Sequence, residues 1–273
     1  MTRILAVVNQ KGGVGKTTTT VNLAASLVAM KRRVLVIDLD PQGNATTGAG
    51  LDKRACTRTV YHVLLGEAAI ADVRRKSESG GFDIVPANRE LAGAEVELVD
   101  HPRRELAVRD ALAPVVDRYD YVLIDCPPSL GLLTVNMLAA ANAVLIPLQC
   151  EYYALEGLSQ LLNTIHLLQR GVNAGLSIDG VVLTMFDARL NLSRQVATDA
   201  REYFGSKVFQ TTVPRNVRLA EAPSFGKPII VYDVASVGAQ AYMSIARELL
   251  ERDRSTQLSD SSPVALVHPV AQS

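Results

Sequence analysis

The segment "NQKGGVGKTTTT", residues 9–20, contains the residue types that bind phosphate groups. It matches the Gly-Lys-Ser/Thr end of the common phosphate-binding loop at Lys16 and Thr17, but Gln10 stands where that loop has its first glycine. A second lysine, Lys11, follows Gln10 directly. The sequence therefore predicts a phosphate loop with one cation more than the common motif, and a solvated surface lysine is the simplest interpretation of that extra residue.

The loop also has the surroundings that such a motif needs. The apolar run "RILAVVN" precedes it and "TTVNLAASLVAM" continues with helical spacing, so backbone N–H groups and the positive helix end converge on the phosphate. We expect Lys16 to bridge the β- and γ-phosphates, Thr17 to ligate Mg²⁺ and Thr18 to meet the α-phosphate. The expected nucleotide contacts are Gly12, Gly13, Val14, Gly15, Lys16, Thr17 and Thr18. A glycine turn that only caps a helix is the weaker alternative.

Two further apolar runs end in carboxylates. "VLVIDLD" ends with Asp38 and Asp40, and "YVLIDCPP" carries Asp125. In a doubly wound sheet such strand ends meet near the first loop, where nucleotide-hydrolysing sites place their second carboxylate. We expect Asp125 to hold Mg²⁺ through a water, and Asp40 to orient or activate the attacking water. For Asp38 the capping of a turn is an equal alternative.

The runs that must position these residues are short, apolar and not alternating. Such runs suit strands covered on both faces, so the sequence predicts a doubly wound α/β fold, with a mostly parallel sheet flanked by helices. The predicted strands are "RILAVVN", "RVLVIDLD", "FDIVPAN", "YDYVLIDCPP", "AVLIPLQC", "IDGVVLTMFD" and "VFQTTVP". The leucine stripe of "ALEGLSQLLNTIHLLQ", from Leu155 to Leu168, predicts an amphipathic helix that packs on the core, with His166 in solvent.

No repeat or linker divides residues 1–253, which we expect to form one nucleotide-binding domain followed by a disordered tail over residues 254–273. The formal net charge is zero, so any affinity for nucleic acid must come from a local cluster of Lys and Arg. The three cysteines are scattered, and we expect them to be small buried residues in a reduced cytosol. No run suits a signal peptide or a membrane span, so a soluble cytoplasmic protein is expected.

The sequence resembles the ParA/Soj family of chromosome-partitioning ATPases, which carry a deviant Walker A loop. The blocks that resemble it are "KGGVGKTTTTVNLA", "VLVIDLDPQGNAT", "YDYVLIDCPPSLGLLT", "LTMFDAR" and "VPRNVRLAEAPSFGKPIIVYD". The resemblance implies ATP and Mg²⁺ as cofactors, an ATP-dependent homodimer, and catalytic roles for Lys11, Lys16 and Asp40. In this family the first lysine, here Lys11, reaches across the dimer to the phosphates of the other subunit, which agrees with a loop whose own phosphate Lys16 already serves.

The resemblance also implies non-specific binding of double-stranded DNA, association with the nucleoid and a ParB-like centromere-binding partner. Arg189 and Arg218 match positions at which relatives use basic residues for DNA contact, and Lys227 lies nearby in sequence. Each of the three is equally well explained as a solvated charge. The stretch "VPRNVRLAEA" resembles the adenine-side loop of the family, so Pro214 and Asn216 are expected to contact the base and ribose.

Three alternatives share the loop and need other features to separate them. A MinD-like division-site ATPase binds membrane through a basic amphipathic helix, whereas this sequence finishes in "LVHPVAQS", so no membrane partner is expected. A nitrogenase-type reductase needs cysteines paired across a dimer for an iron–sulfur cluster, and Cys126 and Cys150 lack that context. A nucleotide-sensing module without turnover is disfavoured, because the loop lysine and threonine occur together with Asp40 and Asp125.

Overall fold

A computed structural model describes residues 2–152 and 156–260 of the chain. The strands are β1 (Arg3–Val7), β2 (Val34–Asp38), β3 (Arg75–Lys76), β4 (Asp83–Val85), β5 (Tyr121–Asp125), β6 (Ala143–Gln149) and β7 (Ser177–Thr184). The helices are α1 (Lys16–Ala29), α2 (Asn44–Gly48), α3 (Val60–Leu64), α4 (Ile70–Val73), α5 (Leu91–Glu97), α6 (Ala107–Leu112), α7 (Leu132–Ala140), α8 (Glu156–Arg170), α9 (Asn191–Phe204), α10 (Val217–Glu221), α11 (Ile229–Tyr232) and α12 (Val237–Asp260). Single 3₁₀ turns lie at Arg104–Leu106, Val116–Arg118, Gly205–Lys207 and Ala222–Phe225.

The strands form one sheet of seven in the order β3-β4-β2-β5-β1-β6-β7. Every pairing is parallel except the antiparallel edge pair of β3 and β4. Strand β1 therefore lies between β5 and β6, and the register sets Asp125 of β5 level with both Val7 of β1 and Asp38 of β2. This order brings the loop after β1 and the carboxylates of β2 and β5 to the same edge of the sheet.

Successive residues of the central strands enter two different cores, which is why these runs are continuously apolar. In β1, Leu5 packs with the layer that contains α1 and α12, whereas Ala6 packs with the layer that contains α3 to α9. In β2, Val36 and Ile37 divide in the same way, and both are at most 1% exposed. Helices therefore cover both faces of a mostly parallel sheet, and the predicted fold class is confirmed.

Two details of the predicted sheet are wrong. The run "VFQTTVP" forms no strand, because the N–H groups of Gln210 and Thr211 donate to the carboxylate of Glu248 on α12 at 2.9–3.3 Å. The run meets β7 near its two ends, where the N–H groups of Phe209 and Val213 donate to the carbonyls of Val181 and Leu183 at 2.9 and 2.8 Å. The two-residue edge strand β3, Arg75–Lys76, was not predicted, since it is too short to show a pattern.

The predicted leucine-rich helix is confirmed as α8, with Leu158, Leu161, Ile165 and Leu168 buried. Leu155 lies outside the described residues, and His166 is exposed as expected. Helix α12 continues to Asp260, past the predicted domain boundary at residue 253, and residues 261–273 lie outside the described part. All three cysteines are free thiols, but Cys56 is only partly buried, which corrects the expectation that all three are core residues.

Candidate nucleotide-binding site

The loop between β1 and α1 curls tightly at the edge of the sheet. Gly13 and Gly15 take φ angles of 76° and 92°, a left-handed conformation that side chains with a Cβ rarely adopt. The side chain of Asn9 holds the start of the loop, because it donates to the carbonyl of Pro147 at 2.8 Å and accepts the Lys11 N–H at 3.0 Å. The loop is thereby tied to β6, the strand next to β1.

Lys16, the first residue of α1, turns its ammonium back into the loop. Its Nζ donates to the carbonyl of Lys11 at 3.1 Å, and the residue is only 7% exposed. Burial lowers the pKa of the Lys16 ammonium, while the nearby Asp125 and Asp40 act in the opposite direction. A cation held in the concave side of a glycine loop is suited to an anionic ligand, and the space at Gly12 and Gly13 is open.

Asp125 lies at the end of β5 and receives two hydroxyl groups from α1. Thr17 Oγ1 donates to Oδ2 at 2.7 Å and Thr20 Oγ1 to Oδ1 at 3.1 Å, and Asp125 is fully buried. Burial, followed by the charge of Asp38, raises the pKa of the Asp125 carboxyl. A hydroxyl and a carboxylate side by side are oxygen ligands that suit Mg²⁺, whose remaining ligands are commonly phosphate and water. Among residues 2–152 and 156–260 no group of three or more His, Cys, Asp or Glu is placed to hold a metal ion.

Asp38 and Asp40 have different surroundings although only Leu39 separates them. The Asp38 carboxylate is fully buried and accepts the Thr46 hydroxyl at 2.7 Å, the Thr46 N–H at 2.8 Å and the Asp40 N–H at 3.1 Å. Burial is also the main cause of its raised pKa. Asp40 is 8% exposed and binds only the Gln42 N–H, at 2.8 Å through Oδ1, among the contacts described for its carboxylate. Asp38 thus holds the turn that carries Asp40, and Asp40 is the carboxylate available for chemistry.

Lys11 lies at the outer rim of the loop and does not enter the phosphate cradle. Its Nζ is 3.6 Å from Oε2 of Glu151, and both side chains are more than 40% exposed. Glu151 Oε1 also faces the guanidinium of Arg215 at 3.3 Å. Lys11 and Lys16 are therefore five residues apart on one loop but sit in different environments, one exposed and ion-paired and the other buried.

The predicted base-side residues follow the end of β7. Thr184, the last residue of that strand, donates its hydroxyl to the carbonyl of Val14 at 2.8 Å, so this strand end touches the phosphate loop. Pro214 bridges to Phe186 just beyond the strand. Asn216 caps α10, with its side-chain oxygen accepting the Leu219 N–H at 3.2 Å. Pro214 is thus linked to the loop through the end of β7, whereas the side-chain oxygen of Asn216 is used by the helix cap.

The basic residues predicted for DNA contact are exposed and lie outside this buried centre. Arg189 forms a bidentate salt bridge with Asp187, with N–O distances of 2.9 and 2.7 Å, and the Arg189 side chain is 88% exposed. This pairing lowers the pKa of Asp187 to about 2. Arg218 pairs with Glu221 at 3.1 Å.

Lys227 follows Gly226, whose backbone packs directly on Gly50. A Cβ added at Gly226 would lie 2.8 Å from the Gly50 Cα. This contact joins the Lys227 segment to the region just after α2, and α2 begins four residues after Asp40. Lys227 also lines a cavity of about 370 Å³ together with Thr17 and Thr18. It is therefore nearer to the phosphate loop than its sequence position indicates.

The structure brings together the loop residues 12–18, Asp40 and Asp125, and it leaves Lys11, Arg189 and Arg218 on the surface. Sequence reasoning missed several residues that hold the site, namely Asn9, Thr20, Thr46, Glu151, Thr184 and Arg215. Thr20 had a signal, because a polar residue three positions after Thr17 lies on the same face of a helix. Glu151, Thr184 and Arg215 reach the loop from distant segments and carry no local signal.

Comparisons with known proteins agree with this geometry. A family model described as "AAA domain" matches residues 2–178. The chain is 56% identical over 251 residues to the chromosome partitioning protein ParA of Myxococcus xanthus, which covers 92% of this chain and 89% of that protein. It is 54% identical over 249 residues to the sporulation initiation inhibitor protein Soj of Bacillus subtilis, covering 91% and 98%. A crystal structure of cobyrinic acid a,c-diamide synthase from Mycobacterium smegmatis with bound ATP analog and magnesium matches with a TM-score of 0.84 at 41% identity, covering 94% of this chain and 97% of that one.

Proposed function

Because the chain belongs to the ParA/Soj family of chromosome-partitioning ATPases, we propose that it segregates DNA through an ATP-driven cycle of dimerisation and DNA binding. The chain is a partitioning ATPase with ATP and Mg²⁺ as its cofactors. The finer cycle is the proposal: ATP joins two subunits, the dimer binds DNA without sequence preference, and hydrolysis releases it. The observation that carries it is the contrast between Lys16, already buried in the loop, and Lys11, exposed at its rim.

Within one subunit the proposed roles follow the contacts. Lys16 and the backbone of residues 12–15 hold the phosphates, and Thr17 with Asp125 holds Mg²⁺, which supplies charge neutralisation at the phosphates. Thr18 meets the α-phosphate, and Pro214 with Asn216 lies on the side of the base. Asp40, on the turn that Asp38 and Thr46 hold, orients the attacking water. The Lys11 ammonium lies at the exposed rim, 3.6 Å from Glu151 Oε2, whereas Lys16 is buried in the loop, and this contrast supports an action of Lys11 on the phosphates of a second copy.

The edge of the sheet around Lys11 has features of a surface that meets a second copy. Exposed apolar side chains follow the ends of three strands on this side of the sheet: Leu130 after β5, Tyr152 after β6, and Leu190 with Leu192 after β7. Their exposed fractions run from 41% to 66%. Apolar groups around a functional site favour association, because burying them between two subunits removes them from water. A lysine in that surface would meet phosphate at the interface, so ATP becomes part of the contact.

DNA binding is proposed to use Arg189, Arg218 and Lys227. Since the chain has no net charge, a single subunit has no overall attraction for a duplex, and a dimer doubles these three cations on one assembly. The cis partners Asp187 and Glu221 must then exchange their arginines with DNA phosphates. Such exposed pairs are weak, so the exchange costs little. A ParB-like partner that accelerates hydrolysis would set how long the protein stays on the nucleoid.

The experiment is the binding of a random-sequence duplex at several salt concentrations with ATP and with ADP. We expect binding with ATP only, and a log–log salt slope that Arg189→Glu makes shallower by about 2, one phosphate contact for each subunit. Arg218→Glu should act in the same direction. The matched control is Arg103→Glu, an exposed arginine that is paired with Asp110 in the same bidentate way.

Equal DNA binding with ATP and ADP, or full binding by both charge-reversed variants, would refute this proposal. A parallel experiment, in which anionic vesicles replace the duplex, tests the MinD-like alternative. Among the described residues, no helix is both long and apolar enough to cross a bilayer. ATP-dependent binding to vesicles without binding to DNA would favour that alternative.

A further inference from the structure

Glu151 occupies a position that the roles above do not use. It lies two residues beyond the end of β6, where its N–H donates to the Gln149 carbonyl at 2.8 Å and closes a tight turn. Its carboxylate receives the Gln149 side-chain amide and the Arg215 guanidinium on Oε1, and it faces the Lys11 ammonium on Oε2. One side chain therefore binds two cations that come from different loops.

These two loops are the ones that the proposed nucleotide would contact. Lys11 belongs to the phosphate loop after β1, and Arg215 lies between Pro214 and Asn216 on the predicted base side. With the Lys11 Nζ at 3.6 Å from Oε2 and the Arg215 guanidinium at 3.3 Å from Oε1, the carboxylate connects both sides of the site within one subunit. Lys11 cannot keep this pair and also reach the phosphates of another subunit.

We infer that Glu151 is a positioning residue for Lys11, holding its ammonium at the rim of its own subunit until the ATP of a second copy takes it over. This inference rests on the proposed dimer. The side chains of Lys11 and Glu151 are 44% and 43% exposed, so water and salt weaken the pair. Phosphate oxygens in a closed interface bind an ammonium more strongly than an exposed carboxylate does. The Lys11–Glu151 ion pair thus opposes dimerisation, and the binding of Lys11 to the triphosphate of the second subunit outweighs it.

The inference predicts a gain of association, which simple structural damage would not produce. Glu151→Gln keeps the size of the side chain and one oxygen acceptor but removes its charge. A symmetric wild-type dimer must break two such weak pairs when it forms, and Glu151→Gln has none to break. The association constant for dimerisation should therefore be about 2- to 30-fold higher in Glu151→Gln than in wild type. The measurement is sedimentation over a range of protein concentrations with a saturating, non-hydrolysable ATP analogue and Mg²⁺. Saturation removes any effect of nucleotide affinity from the result.

Two variants separate Lys11 from the other partners of Glu151. Glu202→Gln, an exposed glutamate of α9, is the matched control and should leave the dimerisation constant unchanged. Arg215→Gln removes the second cation and should not strengthen the dimer. If Arg215→Gln strengthens it as much as Glu151→Gln does, the effect passes through the base-side loop and the inference is wrong.

The remaining outcomes decide between this inference and the proposed function. A folded Glu151→Gln that dimerises as wild type does, or more weakly, overturns the role of Glu151 but leaves the ATP-driven dimer intact. If wild type stays monomeric with the ATP analogue, the proposed dimer fails and the inference fails with it. If Glu151→Gln does not fold, Glu151→Asp replaces it; its shorter side chain moves away from Lys11 and should strengthen the dimer by a smaller factor, and an unchanged constant again overturns the inference.

Discussion

The buried centre of the site and its exposed rim use the same kinds of side chain in opposite ways. In the centre, Lys16 and Asp125 are at most 7% exposed, and hydroxyl and backbone groups surround them. At the rim, Lys11 and Arg189 are exposed and pair with acids of their own subunit. Burial makes a charge costly and its partners obligatory, whereas an exposed pair is weak and easily exchanged. The centre is therefore suited to hold one ligand in a fixed geometry, and the rim to change partners.

The largest expected effect comes from Asp40, the least buried of the three carboxylates in the centre. Asp40→Ala should lower ATP turnover by about 10²- to 10⁴-fold, the usual contribution of a group that handles the proton of a nucleophile. The affinity for ATP should change by less than about threefold, because a water-orienting group acts on the transition state. The measurement is steady-state phosphate release together with nucleotide binding on the same preparation.

The matched control for that prediction is Asp52→Ala, an exposed aspartate that follows α2. It should turn over ATP at the wild-type rate. Wild-type turnover in Asp40→Ala would show that another group positions the water, and Asp38 would be the next candidate in spite of its hydrogen bonds to Thr46.

A smaller effect is expected on stability, where the loss of one polar partner can be compared between the buried centre and the exposed rim. Thr46→Val keeps the shape of a fully buried side chain but removes a hydrogen bond to the Asp38 carboxylate and leaves the Ala87 N–H without its acceptor. The free energy of unfolding should fall by about 2–4 kcal/mol, because both buried groups lose a partner. The measurement is chemical denaturation without nucleotide.

Asp187→Asn is the companion variant at the rim, where it removes the charge that pairs with Arg189. The free energy of unfolding should change far less than in Thr46→Val, because the Arg189 side chain is 88% exposed and water screens the pair. A loss as large as that of Thr46→Val would mean that the rim is as rigidly built as the centre, contrary to the comparison.

The central residues were predictable because they belong to continuous patterns. Apolar strands covered on both faces predicted the sheet, and the strand–loop–helix pattern predicted the place of Lys16 and Thr17. Asp125 was predictable as a strand-end acid. The register then explains why it lies beside Asp38, since β2 and β5 are direct neighbours.

The surroundings of Lys11 and the run "VFQTTVP" were less predictable, because the residues that bind them are distant in sequence. Glu151 meets Lys11 across 140 residues, and Glu248 takes the N–H groups that would otherwise have made "VFQTTVP" a strand. Neither contact has a spacing or a motif. The proposed contact of Lys11 with the phosphates of a second subunit came from the family resemblance. The exposed position of Lys11 in one subunit agrees with that role.

In the proposed cycle ATP joins two subunits through Lys11. The most direct test is the mass of wild type and Lys11→Ala by sedimentation with ATP, with ADP and without nucleotide, with Lys207→Ala as the control for an exposed lysine far along the chain. We predict that wild type and Lys207→Ala dimerise with ATP alone. Lys11→Ala should stay monomeric in all three conditions while it binds ATP within about threefold of wild type, since Lys16 still serves its own phosphate. An undiminished ATP-dependent dimer of Lys11→Ala would contradict the account.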